Sequence, residues 1–257
     1  GYDVIYYDTE AAFSRELFIR LGGDPELLVY RTPDTVEELF DDLDELLSVR
    51  RTNKRSFPVL VIWDSVAASS AREEMDKHLA ESTSPAIHAR RNSQALRKFA
   101  RLIPKDKVAW FIINQTRDKI GSYVHEVATF GGKAIGFYSS VRIELRVRRK
   151  IAATAKRGKK PRIVGIEVEG IIKKNKITVP YRAADFNIIF NAGIDEAASA
   201  LDMAVQLGVV DGTTWKTIKI GGTDIKFQSG KWPDIWHKHK EDILDMLEVA
   251  ASKYDED

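Results

Sequence analysis

Short apolar runs alternate with amphipathic stripes through the first half of the chain. Residues 4–7 form an apolar run that ends in Asp8, Thr9 and Glu10. Phe13, Leu17, Phe18 and Leu21 then recur at helical spacing, and Gly22-Gly23 supplies a C-terminal stop. A second short strand is predicted at 27–30. Over 35–47, Val36, Leu39, Phe40, Leu43 and Leu47 share one stripe while Glu37, Glu38, Asp41, Asp42 and Asp44 lie elsewhere, which predicts a helix with one buried face.

Two runs, 59–63 and 108–113, are apolar on both faces. Such strands belong in the middle of a sheet covered by helices. The first ends in Asp64-Ser65 and the second in Asn114-Gln115. Ligands of open α/β sheets bind at the carboxyl ends of strands, so the groups at Asp8 to Glu10, Asp64-Ser65 and Asn114-Gln115 are expected to converge on one crevice. Between these runs, 86–103 reads as a helix with Arg90, Arg97 and Arg101 on one face. Residues 116–133 contain Gly121, Gly131 and Gly132 and show no period, as expected of a functional loop.

Strand signals dominate from Ser139, with a hairpin over 141–147 and 163–172 that is expected to project from the core, and a further strand at 185–190. From Asp195 a small unit is predicted: a helix to Leu207, a hairpin turning at Gly221-Gly222, and a helix over 233–251. The expected class is therefore α/β, a mostly parallel central sheet flanked by helices, followed by a small α+β C-terminal unit. The expected domains are 1–194 and 195–257.

Composition narrows the function. The chain has 257 residues, no Cys, 44% hydrophobic residues and a formal net charge of +2. These values exclude a disulfide scaffold and argue against disorder. The apolar runs are far shorter than the roughly 20 residues of a membrane helix, so no membrane association is expected, and cytoplasm is the expected compartment. The small net charge conceals a strong partition. Residues 1–85 carry 9 basic and 18 acidic side chains, residues 86–182 carry 24 and 6, and residues 183–257 carry 7 and 14. A block of +18 between acidic flanks suits a polyanion-binding face.

The candidate chemistry lies at the strand ends. An apolar strand ending in Asp64 is what a Mg²⁺-binding carboxylate needs, although Asp also simply initiates turns. Glu10 suits polarising a water, though it is equally a charge at a helix N-terminus. Gln115 suits sensing a γ-phosphate and passing its presence to the loop behind it, though it is equally a satisfied amide at a strand end. Lys174 and Lys176, in the run KKNK, suit phosphate oxygens, though a short basic run is also common in solvated turns. His237 and His239 are two residues apart on a predicted helix and face different ways, so no metal site is expected there. Trp63, Trp110, Phe137 and Phe190 are expected in the core, with Tyr123 and Phe130 as the stacking candidates.

In order, YYDTE, LVIWDS, ARRNSQALRK, FIINQTRDKIG, FGGKAIGFYSSVR, KKNK and VPYRAADFNIIFNAGID resemble the RecA family of recombinases, including phage relatives of the UvsX kind. The resemblance runs from Tyr2 to about Asp195 and weakens beyond it. It implies a RecA-like P-loop ATPase core that uses ATP and Mg²⁺, binds single-stranded and double-stranded DNA, and self-associates into a helical filament in the cytoplasm, at the nucleoid or in the host of a phage. Glu10 is similar to the water-activating residue, Asp64 with Ser65 to the Walker B element, and Gln115 to the nucleotide-sensing amide. Lys174 and Lys176 resemble the pair that reaches ATP on the adjacent protomer.

The resemblance also implies two DNA loops, one within 72–87 and one over 116–133. Arg117, Lys119, Tyr123, Gly131, Gly132 and Lys133 fall in the second, and Arg90 and Arg97 match basic residues used near DNA. The family's phosphate loop, G-x-x-x-x-G-K-[ST], is expected roughly two dozen residues upstream of the Glu10 position and does not occur in this sequence. The adenine-stacking aromatic falls near Leu17, with Phe13 or Phe18 as substitutes. Glu169 stands where some relatives carry a basic residue. A ring-forming RecA-fold helicase, a RadA-like ATPase and a DNA-binding paralogue without hydrolysis are the alternatives.

Overall fold

The computed structural model describes residues 3–54, 57–75, 86–118, 127–153 and 160–254. The chain divides into two compact units, Gly1–Ser139 and Ser140–Asp257. This division falls upstream of the expected boundary at 194/195.

The first unit begins with β1 (Asp3–Asp8), α1 (Arg15–Arg20), β2 (Leu28–Arg31), α2 (Val36–Thr52) and β3 (Val59–Asp64). It continues through α3 (Arg72–Met75), α4 (Ala86–Leu102), β4 (Val108–Ile112), β5 (Thr116–Asp118), β6 (Val127–Thr129) and α5 (Lys133–Tyr138). Strands β2, β1, β3 and β4 form a parallel sheet in that order, with Asp8 opposite Asp64 and Trp63 opposite Ile112.

The pleat separates the two faces of this sheet. Val59, Val61 and Trp63 of β3, with Ile5 and Tyr7 of β1, point to one side and are buried. There they meet the predicted stripe of α2 and, from α4, Phe99. The Phe40 ring lies 5.5 Å from Phe99 and 5.7 Å from Trp63, and Trp63 lies 6.3 Å from Trp110. Each large side chain buried here contributes roughly 1.5–3 kcal/mol, so this aromatic seam is a main support of the sheet. Thr35 starts α2 by accepting from the Glu38 N–H.

Three expectations are corrected in this unit. The run at 108–112 lies at an edge of the described sheet, with Phe111 58% exposed. An apolar run records which faces favour burial, and not which strand becomes its neighbour. Phe13 precedes α1 instead of lying within it, and α1 has no buried residue. The stretch after Gln115, read as a loop without period, contains the antiparallel pair β5 and β6, with Arg117 opposite Ala128.

The second unit holds β7 (Val141–Ala152), β8 (Ile163–Asn175), β9 (Ala183–Ile189), β10 (Gly193–Ile194) and α6 (Glu196–Gln206). After these come β11 (Val210–Asp211), β12 (Lys216–Ile220), β13 (Thr223–Phe227) and α7 (Trp232–Tyr254). Antiparallel β10, β9, β8 and β7 form one sheet, and β11, β12 and β13 another. Ala204, Ile218, Phe227, Trp232 and Ile243 centre a second core between α6, the small sheet and α7. No helix among the described residues is long and apolar enough to cross a membrane.

Candidate functional site

The ends of β1, β3 and β4 meet, as their parallel register requires. Asp64 closes β3 on the sheet face opposite α2, where Oδ2 accepts from the Tyr6 hydroxyl at 2.7 Å. Burial, and then the bond and charge of Asp64, raise the Tyr6 hydroxyl above the ordinary phenol range, so it remains a donor. The Asp64–Ser65 peptide is cis. Ser65 is buried, and its hydroxyl donates to Oε1 of Glu10 at 2.5 Å. The Gln115 amide donates to that same oxygen at 3.2 Å.

Thr9 fastens this arrangement from the neighbouring strand. Its Oγ1 accepts from the Ser65 N–H at 2.9 Å and lies 2.7 Å from the Ser65 carbonyl oxygen. The backbone of Thr9 donates to the Asp64 carbonyl at 2.8 Å.

Asp8 holds the turn that carries Glu10. Its carboxylate accepts from the N–H groups of Glu10, Ala12 and Phe13 at 3.0, 3.3 and 2.9 Å and from the Tyr30 hydroxyl at 2.9 Å. Burial alone would raise this carboxyl; the bonds from Phe13, Tyr30, Ala12 and Glu10 outweigh it and hold it below the ordinary carboxylate value. Two carboxylates opposite each other on adjacent strands thus have different environments. Asp8 is saturated with donors, whereas Asp64 has no hydrogen bond to Oδ1 among the described residues.

Asn114 closes the segment that follows, its Nδ2 donating to the Phe130 carbonyl at 2.8 Å. The next residues pack tightly on α4. A Cβ on Gly131 would lie 2.8 Å from Asn92 Nδ2 and from Val66 Cγ1, and one on Gly132 would lie 2.8 Å from Ala89 Cβ. Both glycines have positive φ, and Gly132 caps α5, whose first residue is the exposed Lys133. The family resemblance places them in a DNA loop; the contacts give them a packing role as well. Phe130 packs against the core of this unit, which corrects its reading as a stacking residue, whereas Phe137 is 71% exposed and Phe190 50% exposed, which corrects their assignment to the core.

Arg90 and Arg97 are exposed on α4. Arg117 lies on β5, and Lys119 and Tyr123 lie outside the described residues. In the second unit, Lys174 lies one residue before the end of β8, opposite Arg142, and burial followed by repulsion from Lys176 and Arg142 lowers its ammonium below the ordinary lysine value. No group of three or more His, Cys, Asp or Glu side chains that could hold a metal ion occurs among the described residues.

Thr9, Tyr6 and Asp8 were not singled out by sequence reasoning as positioning groups. The only signal was their place beside Glu10 at a strand end; Tyr6 and Thr9 meet partners remote in sequence, and Asp8 adds the Tyr30 hydroxyl to the N–H groups of its own turn.

A family model for the RecA N-terminal domain matches residues 1–195. The chain is 34% identical over 207 residues to Protein RecA of Ruegeria pomeroyi, covering 80% of this chain and 56% of that protein. It is 36% identical to Protein RecA of Chloroherpeton thalassium over 207 residues, covering 80% and 54%. Against Protein RecA of Lactobacillus acidophilus it is 31% identical over 250 residues, covering 95% and 65%. The chain therefore spans little more than half the length of the first two relatives. A matched domain over most of the sequence, a parallel sheet flanked by helices and polar groups gathered at its strand ends all agree, and the chain belongs to the RecA family.

Proposed function

We propose that the full protein is an ATP-dependent recombinase that forms helical filaments on single-stranded DNA, pairs it with homologous duplex and promotes strand exchange in recombination and repair, in the cytoplasm. The observation that carries this reading is the sharing of Glu10 Oε1 by Ser65 and Gln115, beside the Asp64 carboxylate.

The residues suit a nucleotide with its metal. Asp64 offers a hard oxygen, Oδ1, at a strand end, while Tyr6 fixes the other oxygen, and such a group suits Mg²⁺ directly or through water. Bound ATP with Mg²⁺ supplies the phosphoryl group that is transferred to water. Glu10 is the group that takes the proton of that water, and Ser65 and Asp8 orient it, one through its carboxylate and one through its backbone. Gln115 is the sensor, because an amide that leaves Glu10 for a phosphate oxygen both frees the base and moves the root of β5. Lys174 and Lys176 would meet the nucleotide of an adjacent protomer.

DNA phosphates are assigned to Arg90, Arg97, Arg117, Lys119 and Lys133, base contact to Tyr123, and close backbone approach to Gly131 and Gly132. The test is Glu10→Gln in the full protein. DNA-stimulated ATP hydrolysis is expected to fall by about 10²-fold or more, with nucleotide binding retained. Undiminished hydrolysis removes Glu10 from the role.

A further inference from the structure

Helix α4 has no acidic residue and treats its cations in two ways. Arg91 pairs with Glu37 at 3.2 Å and Glu73 at 2.5 Å, and Lys98 pairs with Asp44 at 2.9 Å. Glu37 and Asp44 both lie on α2, so one cationic edge of α4 is neutralised within the fold. Arg90, Arg97 and Arg101 are exposed and have no ion pair or hydrogen bond among the described residues. At 3.6 residues per turn these three fall within about 40° of arc, and at 1.5 Å per residue they span about 16 Å.

Like charges four residues apart, as at Arg97 and Arg101, destabilise an isolated helix by a few tenths of a kcal/mol. The neighbouring edge shows acids set against its cations, and this stripe has none among the described residues. A row of guanidinium groups without counter-charges suits a partner whose anions are also in a row, which is the chemistry of a nucleic-acid backbone.

We propose that Arg101 is a further phosphate-binding position, extending the DNA contact of α4 by one turn beyond Arg97. This inference rests on the DNA-binding reading above. The competing account is local: a cation in the last turn of a helix interacts favourably with its C-terminal dipole, which would affect stability and leave DNA binding alone.

The experiment titrates the full protein, with ATP, onto a labelled oligothymidylate between 50 and 200 mM salt, following anisotropy. Arg101→Gln preserves helix propensity and removes one charge. Its plot of log K against log salt is expected to be shallower than wild type by about 0.7, the value for one phosphate contact on a single strand, and Arg101→Lys is expected to keep the wild-type slope. An unchanged slope in Arg101→Gln, with or without a lower melting temperature, overturns the proposal. The double variant Arg90→Gln/Arg97→Gln separates the two failures. If its slope falls while that of Arg101→Gln does not, only the Arg101 assignment is lost; if neither falls, the DNA-binding reading of α4 is lost with it.

Discussion

Gln115 donates its side-chain amide to Oε1 of Glu10 at 3.2 Å, across a sequence separation of 105 residues. With the Ser65 hydroxyl on the same atom, that oxygen has two donors. Departure of the Gln115 amide would leave that oxygen to the Ser65 hydroxyl and open one of its lone pairs to a water.

Replacing Gln115 by Ala removes the sensor and one of these donors. A hydrogen bond to a charged group contributes about 1.5–3 kcal/mol, so DNA stimulation of ATP hydrolysis is expected to fall by about tenfold or more. Steady-state hydrolysis with and without DNA measures the ratio. A preserved ratio would remove Gln115 from the coupling.

Thr9 is expected to influence turnover without touching the nucleotide. Thr9→Val keeps the shape and leaves the Ser65 N–H without its acceptor, at a cost of about 1–3 kcal/mol in stability. Because Ser65 holds Glu10, kcat should fall more than KM rises, and Thr9→Ser should restore both. Loss of stability with unchanged kcat would confine Thr9 to a structural role.

Asp8 makes a pH-dependent contribution to stability. Its folded-state value lies below the unfolded value of about 3.9, so the stabilisation is fully present above that value and is lost as pH falls through the folded one. Asp8→Asn is expected to be about 2–3 kcal/mol less stable than wild type at neutral pH, with the gap narrowing below about pH 4. Denaturant melts at neutral and acid pH provide the comparison; a gap that does not depend on pH would count against this assignment.

Gly131→Ala places a methyl group 2.8 Å from Asn92 Nδ2 and from Val66 Cγ1, on a backbone at φ +80°. Destabilisation by about 1–3 kcal/mol is expected, read as a lower urea midpoint. Gly22→Ala also has positive φ, at +93°, but its Cβ would meet nothing within 4 Å, so it should cost less and serve as the comparison for strain alone.

The meeting of polar groups at the strand ends was legible because each apolar run stops abruptly at polar residues, and parallel strands bring such stops together. Glu10, Asp64, Ser65 and Gln115 could therefore be named before their contacts were known. The stripe of α2 was equally plain, since five apolar positions at helical spacing leave one face to bury. What was not legible is pairing at a distance. Nothing local to Thr9 tells of Ser65, nothing in the 108–113 run tells which strand it flanks, and the one-to-one pairing of Arg117 with Ala128 crosses a stretch without periodicity. Phe130 and Phe137 exchanged their expected places because an aromatic beside glycines suits either a core or a surface, and only the packing of the turn decides.

The bond from Asn114 to the Phe130 carbonyl has a consequence for how the sequence can vary. It joins the two roots of the intervening segment, and Gly131 and Gly132 fix the far root to α4. Closing a longer segment between roots already joined costs little, with a doubling of length adding about 0.6 kcal/mol of chain entropy. The chain is thus closed at 114 and 130 by contacts made outside the span between them, so that selection on what this span contacts, rather than on whether its two ends meet, can set its length.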